Sequence, residues 1–537
     1  MSMLESEKSK VTSIRRKVDA MDYALAQAQN DVPRDTDRGN AIRMCRLHGT
    51  DIHYVDDDRW PSDKRWYVWD GTRWDPNYEV RMREWYTDVV KSIYLEIPDE
   101  PDRDEQTRLF RHARRSEGAG RYEGMLGFLK AEQMLEEGIR IAIAPTLFDA
   151  DPYLFNCANG TIDLRTGELL SHRRHDLITK CSPVEYDSNA TSELWATVLN
   201  VMTNGDKEFE LNLQRAAGLS LIGNNLAEKF FYILGTAATG KSTFVTAMLS
   251  VMGDYGAVAD IQSFLKHRHT GLSPRDDLFR LMGVRQIVTS ETPGGASFET
   301  SLMKQATGGD IITARPLYGR NAQFRLGVIW MHANHTANIP LDDEAMYRRL
   351  CVLPFNRVIP AEQRDPQVKA RLCDVKESGP AIVAWRVQGC LMYQREGLAL
   401  SHAVQQASLQ YRAEMNPLHE WQTERLEIRG DGSHETVADV YDDYVSWADE
   451  NRIDPKHRLN KNKFGRAMKA MGIEQTVLKL SPGMTARVWP GVRLTGGISV
   501  TADPENDDGG DSISVTETEA QKSVTDGTNY DDKDLPF

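Results

Sequence analysis

The sequence predicts a multidomain α/β protein organised around a phosphate-binding loop, and three observations predict it. The chain has 537 residues, enough for three or four domains of roughly 150 residues each. Between Phe230 and Phe355, apolar strand-like runs alternate with helical runs and glycine loops, the pattern of a sheet that receives ligands at its strand ends. Within that segment, Phe230-Phe231-Tyr232-Ile233-Leu234 leads into Gly235-Thr236-Ala237-Ala238-Thr239-Gly240-Lys241-Ser242-Thr243, which fits G-x-x-x-x-G-K-[ST].

The elements follow in chain order. Residues 1–34 read as a charged arm with little to bury. A domain over 35–190 begins with a tryptophan-rich segment in which Asp70-Gly71, set between β-formers, signals a hairpin. Residues 95–145 are mainly helical, and Asn159 to Leu169 gives short strands separated by glycine turns. Trp195 to Gly223 has helical spacing and opens the 191–360 core. Residues 361–427 form a helical segment packing on that core, 428–497 a domain of helices followed by a hairpin, and 498–537 a disordered acidic tail.

Composition bounds what the chain does. Hydrophobic residues are 40% and charged residues 27%, the balance of a folded soluble protein rather than a disordered or collagen-like one. No run approaches the roughly 18 apolar residues of a membrane helix, and the charged start lacks a secretory apolar region. A cytoplasmic location without a membrane partner is expected, in the host cytoplasm if the chain is phage-encoded. Six cysteines lie far apart with no C-x-x-C pair, so reduced thiols are expected rather than a disulfide framework or zinc ribbon. The formal net charge of −14 is unevenly placed. Residues 501–537 hold eleven acids against two lysines, whereas residues 456–493 hold nine Lys/Arg against Glu474 alone. That local basic excess indicates a polyanion partner.

The loop motif has the flanks its chemistry needs, a strand before it and a helix-compatible run after it. Glycines let the backbone wrap so that N–H groups and a helix N-terminus face phosphates. Lys241 then pairs with the β- and γ-phosphates, and the Ser242 hydroxyl completes a Mg²⁺ shell. A second apolar strand, Arg285 to Ser290, ends at Glu291, where a carboxylate polarises the attacking water and helps hold the metal. ATP and Mg²⁺ are the expected substrate and cofactor.

The run Met303-Lys304-Gln305-Ala306-Thr307-Gly308-Gly309-Asp310, then Thr313 to Tyr318, Trp330-Met331-His332-Ala333-Asn334-His335, and Tyr347-Arg348-Arg349-Leu350 to Phe355 resembles the superfamily 3 helicase domain. It is most similar to the branch of phage, plasmid and poxvirus primase-helicases. The resemblance extends to Trp66–Trp74 and Asn156–Leu169, similar to that branch's helicase-associated region. It implies an AAA+-like P-loop ATPase core, an α+β helicase-associated domain before it and a compatible winged helix after it. It also implies roles: Lys241, Ser242 and Glu291 at the Walker positions, although Ser290 stands where an acid is usual. Lys304 matches a basic residue that reaches across a subunit interface, Asn334 a sensor that orients water, and Arg348 or Arg349 an arginine finger. The implied assembly is a homo-hexameric ring. Between Ile311–Leu317 and Ala322–Leu326 a β-hairpin is expected, and the resemblance places it in the ring channel, with Tyr318 stacking on bases and Arg320 contacting phosphate.

In the C-terminal domain, Asn460 caps a basic helix from Lys461 to Met471, with Lys461, Lys463, Arg466 and Lys469 on its charged side. A winged helix-turn-helix facing DNA follows as an expectation. The chain ends Asp534-Leu535-Pro536-Phe537 after an acidic run, which resembles the tip of bacterial single-stranded-DNA-binding proteins and implies docking on host replication proteins that read that tip. Together these features lead to an expected ATP-driven ring helicase acting on single- and double-stranded DNA, 3′-to-5′ by resemblance, in replication initiation. The alternatives are a primase-helicase with priming activity and an ATP-assembled origin-binding protein without motor activity.

Overall fold

The computed structural model describes residues 33–55, 65–132, 140–266, 275–289, 291, 295–315, 321–340, 343–416, 418–429, 432–455, 458–481 and 484–495. Residues 1–32 of the N-terminal arm, Ser290, Tyr318, Arg320 and the acidic tail with Asp534, Leu535, Pro536 and Phe537 lie outside the described residues. The chain groups into two compact units. One takes the described residues of Met1–Ala337, Arg349–Val358 and Gln367–Gln405, the other those of Asn338–Arg348, Ile359–Pro366 and Gln406–Phe537.

The larger unit begins with α1 (Asp37–His48), whose first turn is capped by the Thr36 hydroxyl accepting from the Gly39 N–H. Strands β1 (Ile52–Val55), β2 (Trp66–Trp69) and β3 (Trp74–Asp75) follow, then α2 (Glu79–Glu96), α3 (Arg103–Ser116), α4 (Ala119–Leu129) and β4 (Ala142–Ile143). The expected Asp-Gly hairpin is present: Trp69 pairs with Trp74, and the Asp70 carboxylate accepts from the Thr72 and Arg73 N–H groups at 2.7 and 2.8 Å. The sheet order is β3-β2-β1-β4, with β4 running parallel to β1. Ile52, Trp66 and Val68 pack with Met44, Met82, Val89 and Met125 of the helices in one buried cluster. Strands β5 (Leu154–Cys157), β6 (Gly160–Asp163) and β7 (Glu168–Leu170) then form the antiparallel meander that the glycine turns predict.

Two helices lead into the central sheet. In α5 (Glu193–Met202) and α6 (Lys207–Leu219), Ser192 and Asp206 accept from the N–H groups of Trp195 and Phe209 at 3.2 and 3.0 Å, as good N-caps do. Next come β8 (Phe230–Leu234), α7 (Lys241–Ser250), β9 (Gly256–Ala259), β10 (Gln286–Thr289), α8 (Thr300–Thr307), β11 (Ile312–Ala314), β12 (Ala322–Phe324), β13 (Val328–Ala333), β14 (Leu350–Pro354) and α9 (Gly379–Glu396). The central sheet is five-stranded and parallel, in the order β14-β8-β13-β10-β9. Phe230 to Ile233 and Val328 to Met331 are fully buried. Burial on both faces is why these strands read as unbroken apolar runs rather than alternating ones. The fold class is therefore mixed α/β with a parallel sheet, and the β11–β12 pair is the expected hairpin's described part.

Helix α9 carries an unusual core residue. Arg386 is fully buried, and its guanidinium donates to the carbonyls of Ala217 (3.2 Å) and Met248 (2.8 Å) and to Oε1 of Gln286 (2.8 Å). Those carbonyls belong to the last turns of α6 and α7, the ends where helix dipoles present partial negative charge. Two helix C-termini thus stand in for a carboxylate. Burial still pushes the Arg386 pKa down to about 9.

In the smaller unit, β15 (Leu426–Ile428) pairs with the last strand, β19 (Val492–Leu494). Between them lie β16 (His434–Thr436), α10 (Val437–Glu450), α11 (Lys461–Ala470), β17 (Thr476–Ser481) and β18 (Met484–Pro490). The two strands of the expected hairpin, β17 and β18, are 6 and 7 residues long, and β16 adds a third, giving the antiparallel order β16-β18-β17. The core unites Trp421, Tyr444, Trp447, Phe464, Met468 and Trp489. Two of its indoles keep their N–H groups satisfied, Trp421 on Asp443 and Trp447 on Glu424, as buried tryptophans require. All six cysteines are free, and among the described residues no helix is long and apolar enough to cross a membrane.

Candidate functional site

The site forms where three adjacent strands of the parallel sheet end. The loop Gly235 to Gly240 joins β8 to α7, Glu291 follows β10, and Asn334 follows β13, which lies between the other two. All three positions are at carboxyl ends of parallel strands, the edge at which open α/β sheets bind ligands.

Local backbone geometry explains the loop's glycines. A Cβ on Gly235 would stand 2.0 Å from the Phe355 carbonyl oxygen, so only glycine lets the loop start this close to the end of β14. Gly240 caps α7 with φ +84°, a left-handed conformation that favours glycine. It turns the chain into the helix so that the first N–H groups of α7 face the loop's interior, where a helix N-terminus attracts anions. Thr236, Ala237 and Ser242 are exposed, Ala238 and Thr243 half-buried, and Thr239 is buried with its hydroxyl donating to the Thr236 carbonyl at 3.1 Å.

Lys241 lies 5% exposed in the middle of this arrangement. Its ammonium donates to the carbonyls of Gly235 (2.7 Å) and Thr236 (2.6 Å) and to Oδ1 of Asn334 (2.9 Å), with the Thr239 hydroxyl at 3.4 Å. Asn334 in turn donates through Nδ2 to Oε1 of Glu291 at 2.8 Å. A lysine, an amide and a carboxylate from three strand ends are thereby joined in one hydrogen-bonded chain. Burial pushes the Lys241 pKa down, and the Glu291 charge opposes that shift. Asn334 was expected only as a water-orienting group; its contact with Lys241 depends on β13 lying beside β8, which local sequence does not reveal.

Other expected residues fall elsewhere. Lys304 is half-buried in the last turn of α8. Arg349 stands at the start of β14, 3.6 Å from Glu228, at the opposite edge of the sheet from the loop. Five residues of strand, about 16 Å, separate the two levels. Arg348 belongs to the smaller unit. There too, Lys461, Lys463, Arg466 and Lys469 are all exposed on α11, which Asn460 caps as expected by accepting from the Lys463 N–H at 3.0 Å. Lys469 pairs with Glu474 at 3.0 Å, and Lys461 lies over the Tyr441 ring.

Comparison with known proteins adds family context. Residues 41–204 match the family described as D5 N terminal like. The chain is also 25% identical over 347 residues to "Putative helicase L207/L206" of Acanthamoeba polyphaga mimivirus, covering 59% of this chain and 35% of that protein. Residues 41–204 are thus D5 N terminal like, and the chain is similar to viral proteins named as helicase and primase. A second relative is "Putative primase C962R" of African swine fever virus, 25% identical over 209 residues, which are 38% of this chain and 22% of the relative. The chain spans about a third or less of the length of these curated relatives. A solved structure titled as the apo C-terminal region of NrS-1 (305-718) matches at 11% identity with a TM-score of 0.38, covering 57% of this chain and 77% of that one. The D5 N-terminal-like segment takes in the tryptophan-rich hairpin and the β5–β7 meander, the two upstream regions that carry the family resemblance.

Proposed function

We propose that this chain is an ATP-dependent DNA helicase of a phage or mobile element, with a P-loop core of the superfamily 3 type, working as a hexameric ring during replication initiation. The observation that carries this reading is the Lys241–Asn334–Glu291 chain beside the N-terminus of α7. The residues suit ATP with Mg²⁺. Exposed Ser242 and Glu291 offer hard oxygen donors to a metal that otherwise takes phosphates and water. The α7 N-terminus and Lys241 offer positive charge to the β- and γ-phosphates. Bound Mg²⁺ would neutralise phosphate charge. Glu291 would accept a proton from the attacking water while Asn334 holds that carboxylate in place.

A cation is still needed against the charge of the transferred phosphoryl group. Arg349, at the far edge of its own sheet, suits a neighbour's site better than its own, and this supports trans action by Arg348 or Arg349, with Lys304 at the same interface. Particle sizing with ATP and forked DNA tests the ring; a monomer under those conditions rules it out. ATP-driven displacement of a duplex on a 3′-tailed substrate, with little on a 5′-tailed one, is the expected activity and the expected polarity. Absence of displacement on both would leave only an ATP-assembled binding protein.

By the same reading, the smaller unit is a winged helix with α11 toward DNA. Replacing Lys461, Lys463, Arg466 and Lys469 together with alanine in the full chain is expected to flatten the dependence of log K on log[salt] for duplex DNA by about 3.6. An unchanged slope removes α11 from the interface. The primase in the African swine fever virus relative's name favours a second reading, a primase-helicase. Ribonucleotide primer synthesis on a single-stranded template would establish it.

A further inference from the structure

A second basic surface lies far from the smaller unit in sequence, on α3. The inner face of this helix is fully committed to packing. Leu109 and Ala113 cluster with Ile93. His112 and Ser116 share a buried network with Asn40, at 2.9 Å from His112 Nε2 to Asn40 Oδ1 and 3.0 Å from Asn40 Nδ2 to Ser116 Oγ. Nothing in that packing calls on the outer face, where Arg108, Arg111, Arg114 and Arg115 are exposed around Phe110, itself 48% exposed.

Arg111 stands three positions from Arg108 and from Arg114 and four from Arg115, so it has like-charged neighbours on the same helix surface, where like charges repel. Arg108 is paired with Glu105 at 2.5 Å. Among the described residues, Arg111, Arg114 and Arg115 have no ion-pair partner. Proximity to the helix C-terminus favours Arg114 and Arg115, but it does not account for Arg111, nor for a half-exposed phenyl ring among guanidiniums. That ring is steadied edge-on by Tyr94 at 6.1 Å, whose hydroxyl donates to Glu117 at 2.9 Å. Cations at phosphate-like spacing beside an exposed, braced aromatic face form a platform for single strands. From Arg111 to Arg115 the helix rises about 6 Å, so the three guanidiniums lie within reach of neighbouring phosphates of one flexible strand.

We infer that the outer face of α3 binds single-stranded DNA, with Arg111, Arg114 and Arg115 on neighbouring phosphates and a base stacked on Phe110. The surface lies within the D5 N-terminal-like segment and uses neither the nucleotide site nor α11. The test is fluorescence anisotropy of labelled oligo(dT) with the full chain, without nucleotide, across a salt series. Arg111→Ala/Arg114→Ala/Arg115→Ala is expected to reduce the steepness of log K against log[salt] by about 2, and Phe110→Ala to weaken binding about tenfold with the slope unchanged. The corresponding triple lysine variant keeps the wild-type slope. If the alanine triple melts early, Arg111→Ala alone decides, with an expected change of about 0.7. A wild-type slope in a folded alanine variant overturns the inference. So does loss of binding to a polyglutamate peptide with oligo(dT) binding intact, which would assign the face to an acidic protein. Because no nucleotide is present, failure here leaves the ATPase reading standing, and a chain without ATPase activity would still pass.

Discussion

Lys241→Ala is expected to lower ATP turnover by roughly 10²–10³-fold, the scale of removing one preorganised donor from a site where negative charge develops. The lysine is buried, fixed by two loop carbonyls and Asn334, so its position is set before any phosphate arrives. Its loss also leaves buried acceptors in the loop without a donor, at a cost of about 1–3 kcal/mol. Phosphate release and thermal melting should therefore both fall, and melting in saturating ATP separates the two effects. Wild-type protein should gain stability from nucleotide, and the variant should gain little. Undiminished phosphate release by the variant would place the ATPase site elsewhere.

Glu291→Gln should behave differently. Glutamine retains an oxygen to accept from Asn334 Nδ2, so the hydrogen-bonded chain survives while the negative charge and the basic oxygen are lost. Turnover is expected to drop about 10²–10⁴-fold, the range for losing a general base, with nucleotide affinity nearly unchanged. Single-turnover hydrolysis beside equilibrium binding of a fluorescent ATP analogue distinguishes the outcomes. A loss concentrated in affinity instead of kcat would make Glu291 chiefly a metal holder and remove it as the base.

Much of this site was legible from local pattern. The loop glycines, Lys241 and the carboxylate at the end of β10 all declare themselves by spacing and by the strands that precede them. The Asp70 turn and the Asn460 cap are similarly local, since each side chain bonds a backbone group two or three residues away. What stayed hidden depends on partners distant in the chain. The parallel pairing of β4 with β1, the position of β13 between β8 and β10, and hence the Asn334–Lys241 bond, arise from strand order. The periodicity of a strand shows its burial and not its neighbour. Helix α3 was visible as a helix, but its arginines are distinguished from ordinary solvated ones only once the inner face is seen to be complete without them.

Arg386 bears on how the chain can be divided. It reaches from α9 to the ends of α6 and α7 and to the first residue of β10, and α7 is the helix that begins at Lys241. A protein truncated just after β14 would retain every residue of the nucleotide loop yet lose the cation that neutralises the ends of two helices. Expression fragments intended to isolate the ATPase should consequently run through Gln405, the last residue of the larger unit, because the helix that secures the loop's foundation begins only at Gly379, well downstream of Pro354, where the last strand of the central sheet ends.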